Sequence, residues 1–103
     1  MAKIASKVVW WSSVSDAAAY NVRIIPDGTD FSYDFAPDAA QPAIIGQPEQ
    51  ELDLAGLQLA EGVYTVYVTA EDLAGNESDP LVLAASALDF TPPSAPTSGG
   101  FRN

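Results

Sequence analysis

The chain has 103 residues, one domain's worth, and 48% of them are apolar, which is ordinary for a folded core. It carries 4 Lys+Arg against 14 Asp+Glu, a net charge of −10, and has neither Cys nor His. That composition excludes disulfides, thiol chemistry, nucleophilic triads built on imidazole or thiol, and the basic stripe that nucleic-acid binding requires.

Almost no segment has the period of a long amphipathic helix. Apolar residues alternate, and turn residues interrupt them at intervals of about eight to twelve positions, the pattern of a sandwich or barrel. The first predicted strand is Lys7-Val8-Val9-Trp10-Trp11, followed by the polar turn Ser12 to Asp16. Ala17 to Ala19 leads into Tyr20-Asn21-Val22-Arg23-Ile24-Ile25, where Tyr20, Val22 and Ile24 share one face. Pro26-Asp27-Gly28-Thr29 is a turn, with Pro fixing φ and Gly permitting positive φ. Phe31 to Phe35 alternates again, with its aromatic residues on one side, and is expected to be a strand. Ala36 to Pro48 contains Pro37, Pro42 and Pro48 and reads as a loop or edge segment.

Glu51 to Leu54 is a short alternating strand. Gly62 to Ala70 is the strongest strand, with Tyr64, Val66, Val68 and Ala70 on one face and Val63, Thr65, Tyr67 and Thr69 on the other. Asp72 to Glu77 is a turn, and Leu81 to Leu88 a last strand. The chain therefore divides into a β domain at 1–90 and a Pro/Gly-rich linker or extended tail at 91–103.

Carboxylates are the remaining source of chemistry. Asp27, Asp30, Asp34 and Asp38 crowd one region, but a glycosidase needs two carboxylates at fixed separation in a cleft. A small sandwich offers little cleft, so no catalytic residue is expected and the chain is not read as an enzyme. Asp27-x-x-Asp30 and Asp72…Asn76-Glu77…Asp79 are calcium-donor candidates, yet neither has the spacing of an EF-hand loop, and turn-forming Asp and Asn explain both. No metal or cofactor is expected. Thermal midpoints measured with calcium and with a chelator should agree closely; a calcium-dependent rise of several degrees overturns that expectation. Asn76-Glu77-Ser78 matches a glycosylation sequon, though Gly75-Asn76 more simply supplies a tight turn.

Three local patterns resemble a fibronectin type III domain. The first is Trp11, then Ala17, then Tyr20-x-Val22, similar to that family's core Trp on strand B with the Ala and Tyr-x-Val of strand C. The second is Leu59-x-x-Gly62-x-Tyr64, similar to the tyrosine corner that opens strand F. The third, Val68-x-Ala70-x-Asp72-x-Ala74-Gly75-Asn76-Glu77-Ser78-x-Pro80, looks like the F–G turn of bacterial members. The resemblance covers about residues 7 to 88. It implies a seven-stranded antiparallel immunoglobulin-like β-sandwich, with strands A, B and E in one sheet and C′, C, F and G in the other. It also implies a structural core of Trp11, Tyr20, Val22, Leu59, Tyr64, Val66 and Val68. The Pro-rich lead-in and A strand of that family are weak here, whereas Thr91-Pro92-Pro93-Ser94-Ala95-Pro96-Thr97 looks like the start of a following domain.

Four residues are candidates for binding. If Trp11 faces the core, Trp10 turns outward, and it is expected to be covered by the tail or a neighbouring domain. Tyr67 and Arg23 should share the outer face of the second sheet with Ile25. Phe101 is a candidate anchor that could cover Trp10. The expected function is a non-catalytic structural or protein-interaction module of a bacterial surface or extracellular assembly, joined to neighbouring domains or to copies of itself. Head-to-tail association would run through the C-terminal tail, added to the edge of the B strand. The alternative is a carbohydrate-binding accessory module that stacks Trp10 or Tyr67 on a polysaccharide. Nucleic acid and membrane insertion are not expected: no run of 18 apolar residues occurs. Met1 to Lys7 has no apolar h-region, so an extracellular location implies membership of a larger exported protein.

Overall fold

The computed structural model describes residues 8–54, 57, 59–84 and 99–101. They form six strands and no helix: β1 (Val8–Ser12), β2 (Ala19–Pro26), β3 (Ala39–Pro42), β4 (Glu49–Asp53), β5 (Tyr64–Glu71) and β6 (Leu81–Leu83). Pairing is antiparallel throughout, in a two-stranded sheet β1-β4 and a four-stranded sheet β3-β2-β5-β6. Seven strands were expected. The first strand of the resembled family would fall on residues 1–7, outside the described residues, as does the C-terminal half of the last expected strand, 85–88.

The two sheets meet over one apolar cluster. Val9 and Trp11 come from β1, Tyr20, Val22 and Ile24 from β2, Val66 and Val68 from β5, and Leu54 follows β4. Leu59, Tyr64 and Leu83 pack against its margin. Strand alternation explains the selection: every second residue of β1 is buried, and Trp10 between Val9 and Trp11 is 57% exposed. Trp11 packs edge-on to Tyr20, with ring centroids 5.5 Å apart. All seven expected core residues thus lie in the cluster or against it.

Hydrogen bonds from three side chains fix the frame. The Tyr20 hydroxyl accepts the Val14 amide at 2.7 Å, pinning the turn between β1 and β2. The Tyr64 hydroxyl donates to the Ala60 carbonyl at 2.8 Å, the backward bond expected of a corner tyrosine. Gly62 sits at φ +151°, a backbone conformation in which any other residue would be strained. Gln50, 1% exposed, donates to the Ile44 carbonyl at 3.1 Å and accepts the Ile44 amide at 3.0 Å, tying the loop before β4 to that strand.

One expected strand is not a strand. Phe31 to Phe35 lies in turn and irregular backbone. Pairing starts later, in the Pro-containing segment, where β3 runs beside β2 from Ala39↔Val22 to Pro42↔Ala19. Asp38 marks the change: its amide donates to the Val22 carbonyl at 2.8 Å and its carboxylate accepts the Ile24 amide at 2.6 Å. A carboxylate thus holds the edge of β2 just before β3 begins.

Candidate functional site

On the outer face of the four-stranded sheet the β2–β5 part is covered, while Val82 on β6, opposite Tyr67, is 55% exposed. Arg23 and Tyr67 sit opposite each other in the β2–β5 register, on the same outer face as expected. Arg23, named as a candidate for binding, is only 2% exposed there. The segment that failed to become a strand lies over it. The Phe31 ring stacks on Tyr67 with centroids 4.9 Å apart and meets Tyr33 edge-on at 4.9 Å. The Arg23 guanidinium carbon lies 5.6 Å from the Phe31 centroid and 6.0 Å from that of Tyr33. The aromatic alternation of 31–35 is therefore used to roof a cation. Tyr67 is half-buried, with the Phe31 ring tilted against it.

The guanidinium is saturated. Its Nη1 donates to Glu77 Oε2 at 2.8 Å and Nη2 to Glu77 Oε1 at 3.1 Å, a two-pronged pair. Nε donates to the Phe35 carbonyl at 2.8 Å, and Nη2 reaches the Tyr33 carbonyl at 3.4 Å. The Thr69 hydroxyl donates to Glu77 Oε2, and Asn21 donates to Glu71 at 3.4 Å alongside. The bonds from Arg23, above all, hold the Glu77 carboxyl down at about 2, against partial burial that would raise it. This is a structural clasp joining β2, the 31–38 segment and the turn before β6. Sequence reading missed Glu77 as its partner because 54 residues separate them.

In the second acidic cluster, Asp72 is likewise engaged in shaping backbone. Asp72 accepts the amides of Ala74 and Asn76, both at 2.9 Å, and the Asn76 side chain at 3.2 Å. Those bonds from Asn76 lower its carboxyl from the ordinary range. The sequon asparagine is thus part of this turn. Among the described residues no group of three or more acidic side chains could hold a metal ion.

The outer face of the two-stranded sheet is open. Val8 (53% exposed) and Trp10 (57%) line it on β1. Their register partners on β4 are Asp53 and Glu51, and Ser12 stands opposite Glu49. The result is an indole beside a row of carboxylates, with Cβ atoms of directly opposed residues about 5 Å apart. Trp10 is 57% exposed within the chain, and most of the tail expected to hide it, residues 91–98 and 102–103, lies outside the described residues. Phe101 is fully exposed at 107% and so does not cover it within the chain. Of the four expected binding residues, Trp10 and Phe101 are accessible, Tyr67 is half-buried and Arg23 is buried.

No family model, no characterised protein and no solved structure matches the chain. The described residues define an all-β two-sheet protein whose larger sheet is partly roofed by the 31–35 segment and whose smaller sheet presents Trp10 to solvent.

Proposed function

We propose that the chain is a fibronectin type III-like module with a structural or protein-interaction role, part of an extracellular or cell-surface assembly. The strand order β1-β4 and β3-β2-β5-β6 supports that reading, since it is the B-E and C′-C-F-G order the resemblance implies. The backward bond of Tyr64 and the Trp11–Tyr20 contact support it further. The observation that carries the interaction role is the open β1–β4 face with Trp10 at its centre, because a large indole left in water is a surface waiting for a partner. The partner is a protein: a neighbouring domain or another copy, engaged head-to-tail through residues 91–103. Charge repulsion at net −10 opposes association between copies, and salt relieves it.

The test is deletion of residues 91–103 followed by light scattering at moderate salt. Full-length protein is expected to associate with rising concentration and the truncation to stay monomeric. A monomer at every concentration, or equal association of the truncation, ends the self-association reading.

Exposed Trp10 also favours a second reading, a carbohydrate-binding accessory module. Polysaccharide pull-down separates the two: retention lost in Trp10→Ala supports sugar binding, and no retention of the parent chain rejects it.

A further inference from the structure

The open face has a composition that goes beyond a generic apolar patch. Trp10 stands directly opposite Glu51, and Glu49 lies two positions along the same strand face. Neither Glu49 nor Glu51 forms a side-chain hydrogen bond or ion pair with a described residue. An indole face flanked by an uncommitted carboxylate is complementary to a guanidinium. The planar cation stacks on the ring while its N–H fork reaches the acid, a pairing a lysine ammonium makes less well.

The chain holds four cations, Lys3, Lys7, Arg23 and Arg102. Arg23 is consumed by the buried clasp with Glu77. The other arginine is Arg102, next to Phe101, which touches nothing of its own domain. We propose that Trp10 and Glu51 form a receptor for Arg102 of a second copy, the guanidinium stacking on the indole and pairing with the Glu51 carboxylate. This rests on the reading of the tail as an intermolecular donor and names the face that receives it. It also relocates the contact. The tail grips the open face of the β1–β4 sheet by one side chain, rather than covering Trp10 with the Phe101 ring. In an acidic chain the attraction is selective, because the arriving segment must bring one of few positive charges to a face rich in negative ones.

The experiment uses the full-length protein in sedimentation velocity at moderate salt, with Glu51→Arg, Arg102→Glu, Trp10→Ala and the double swap Glu51→Arg/Arg102→Glu. Each single change is expected to weaken association by about tenfold or more, and the swap to restore most of it. All the positions changed on the domain are exposed, and unchanged urea midpoints will confirm intact folding. In parallel, an N-acetylated peptide of residues 99–103 is titrated into the 91–103 truncation while indole fluorescence is read. A saturable change that disappears in Trp10→Ala supports the proposal. If the full-length chain associates and truncation abolishes it, but the four variants associate as the parent does, the receptor assignment fails while the tail reading stands. If the full-length chain never associates, both fail. A tail-dependent fluorescence signal that is independent of concentration overturns the second copy in favour of docking within one chain.

Discussion

Trp11→Ala is expected to lower the unfolding free energy by about 3–5 kcal/mol, a large part of what a domain of this size holds. Trp11 is 3% exposed and packs on Tyr20 at the centre of the cluster shared by both sheets. Alanine there leaves a void bounded by strands that are each committed to a register and cannot close it. Trp10→Ala, one residue away, removes a side chain that is 57% exposed and should cost about 1 kcal/mol or less. Trp11→Phe should fall between them. The indole Nε1 of Trp11 has no hydrogen-bond partner among the described residues, so phenylalanine gives up volume while also removing an unsatisfied buried donor. Urea midpoints measure all three, and equal midpoints for Trp10→Ala and Trp11→Ala would show that the facing of β1 is reversed.

The second large effect is expected at the clasp. Arg23→Ala should cost about 3–5 kcal/mol, since it strips the partner from a mostly buried Glu77 and opens the roof made by Phe31 and Tyr33. Replacing the pair together, Arg23→Met with Glu77→Leu, should cost far less than Arg23→Ala alone, because no charge is left unpaired.

The same pair has a pH signature. The Glu77 carboxyl lies at about 2 in the folded chain and at 4.5 ordinarily, so folding favours its ionised form. That contribution is present in full above about pH 4.5 and is lost as pH falls from there toward about 2. Its size is on the order of 3 kcal/mol at neutral pH. Glu77→Gln should therefore be less stable than the parent at pH 7, and the gap should narrow across that acid window. Chemical denaturation at stepped pH values tests this; a constant gap between the two proteins would exclude Glu77 as the titrating group.

How much of this was legible in the sequence depends on the range over which each signal acts. The strands at 7–11, 20–25 and 62–70 were readable because a sandwich core imposes a two-residue period on each of them locally. That period grouped Tyr20 with Val22 and Tyr64 with Val66 and Val68, and the family resemblance named which face, with Trp11, is the core. The same rule misread Phe31 to Phe35. Alternating aromatics satisfy a sheet edge equally well when they lie across it as a cover, and only the position of Arg23 in three dimensions decides between the two. The rule also placed Arg23 on the outward face, yet the residue is buried, because facing away from the core is not the same as facing water. Gln50 left no trace at all: a polar residue at the start of a strand looks like surface until its amide is seen to be spent on Ile44.

The clasp also separates two loops that look alike on paper. The 31–38 segment lacks regular structure, yet its backbone carbonyls at Tyr33 and Phe35 are acceptors for a buried cation. An insertion there would unseat the guanidinium. The loop after β3 is different beyond Ile44: Ile45 is 96% exposed, and Gly46, at φ +86°, meets nothing that an added atom would touch. Anyone wishing to open the chain, graft a peptide into it or move its termini has a natural place at Ile45-Gly46. The aromatic loop, for all its irregularity, must be left as it is.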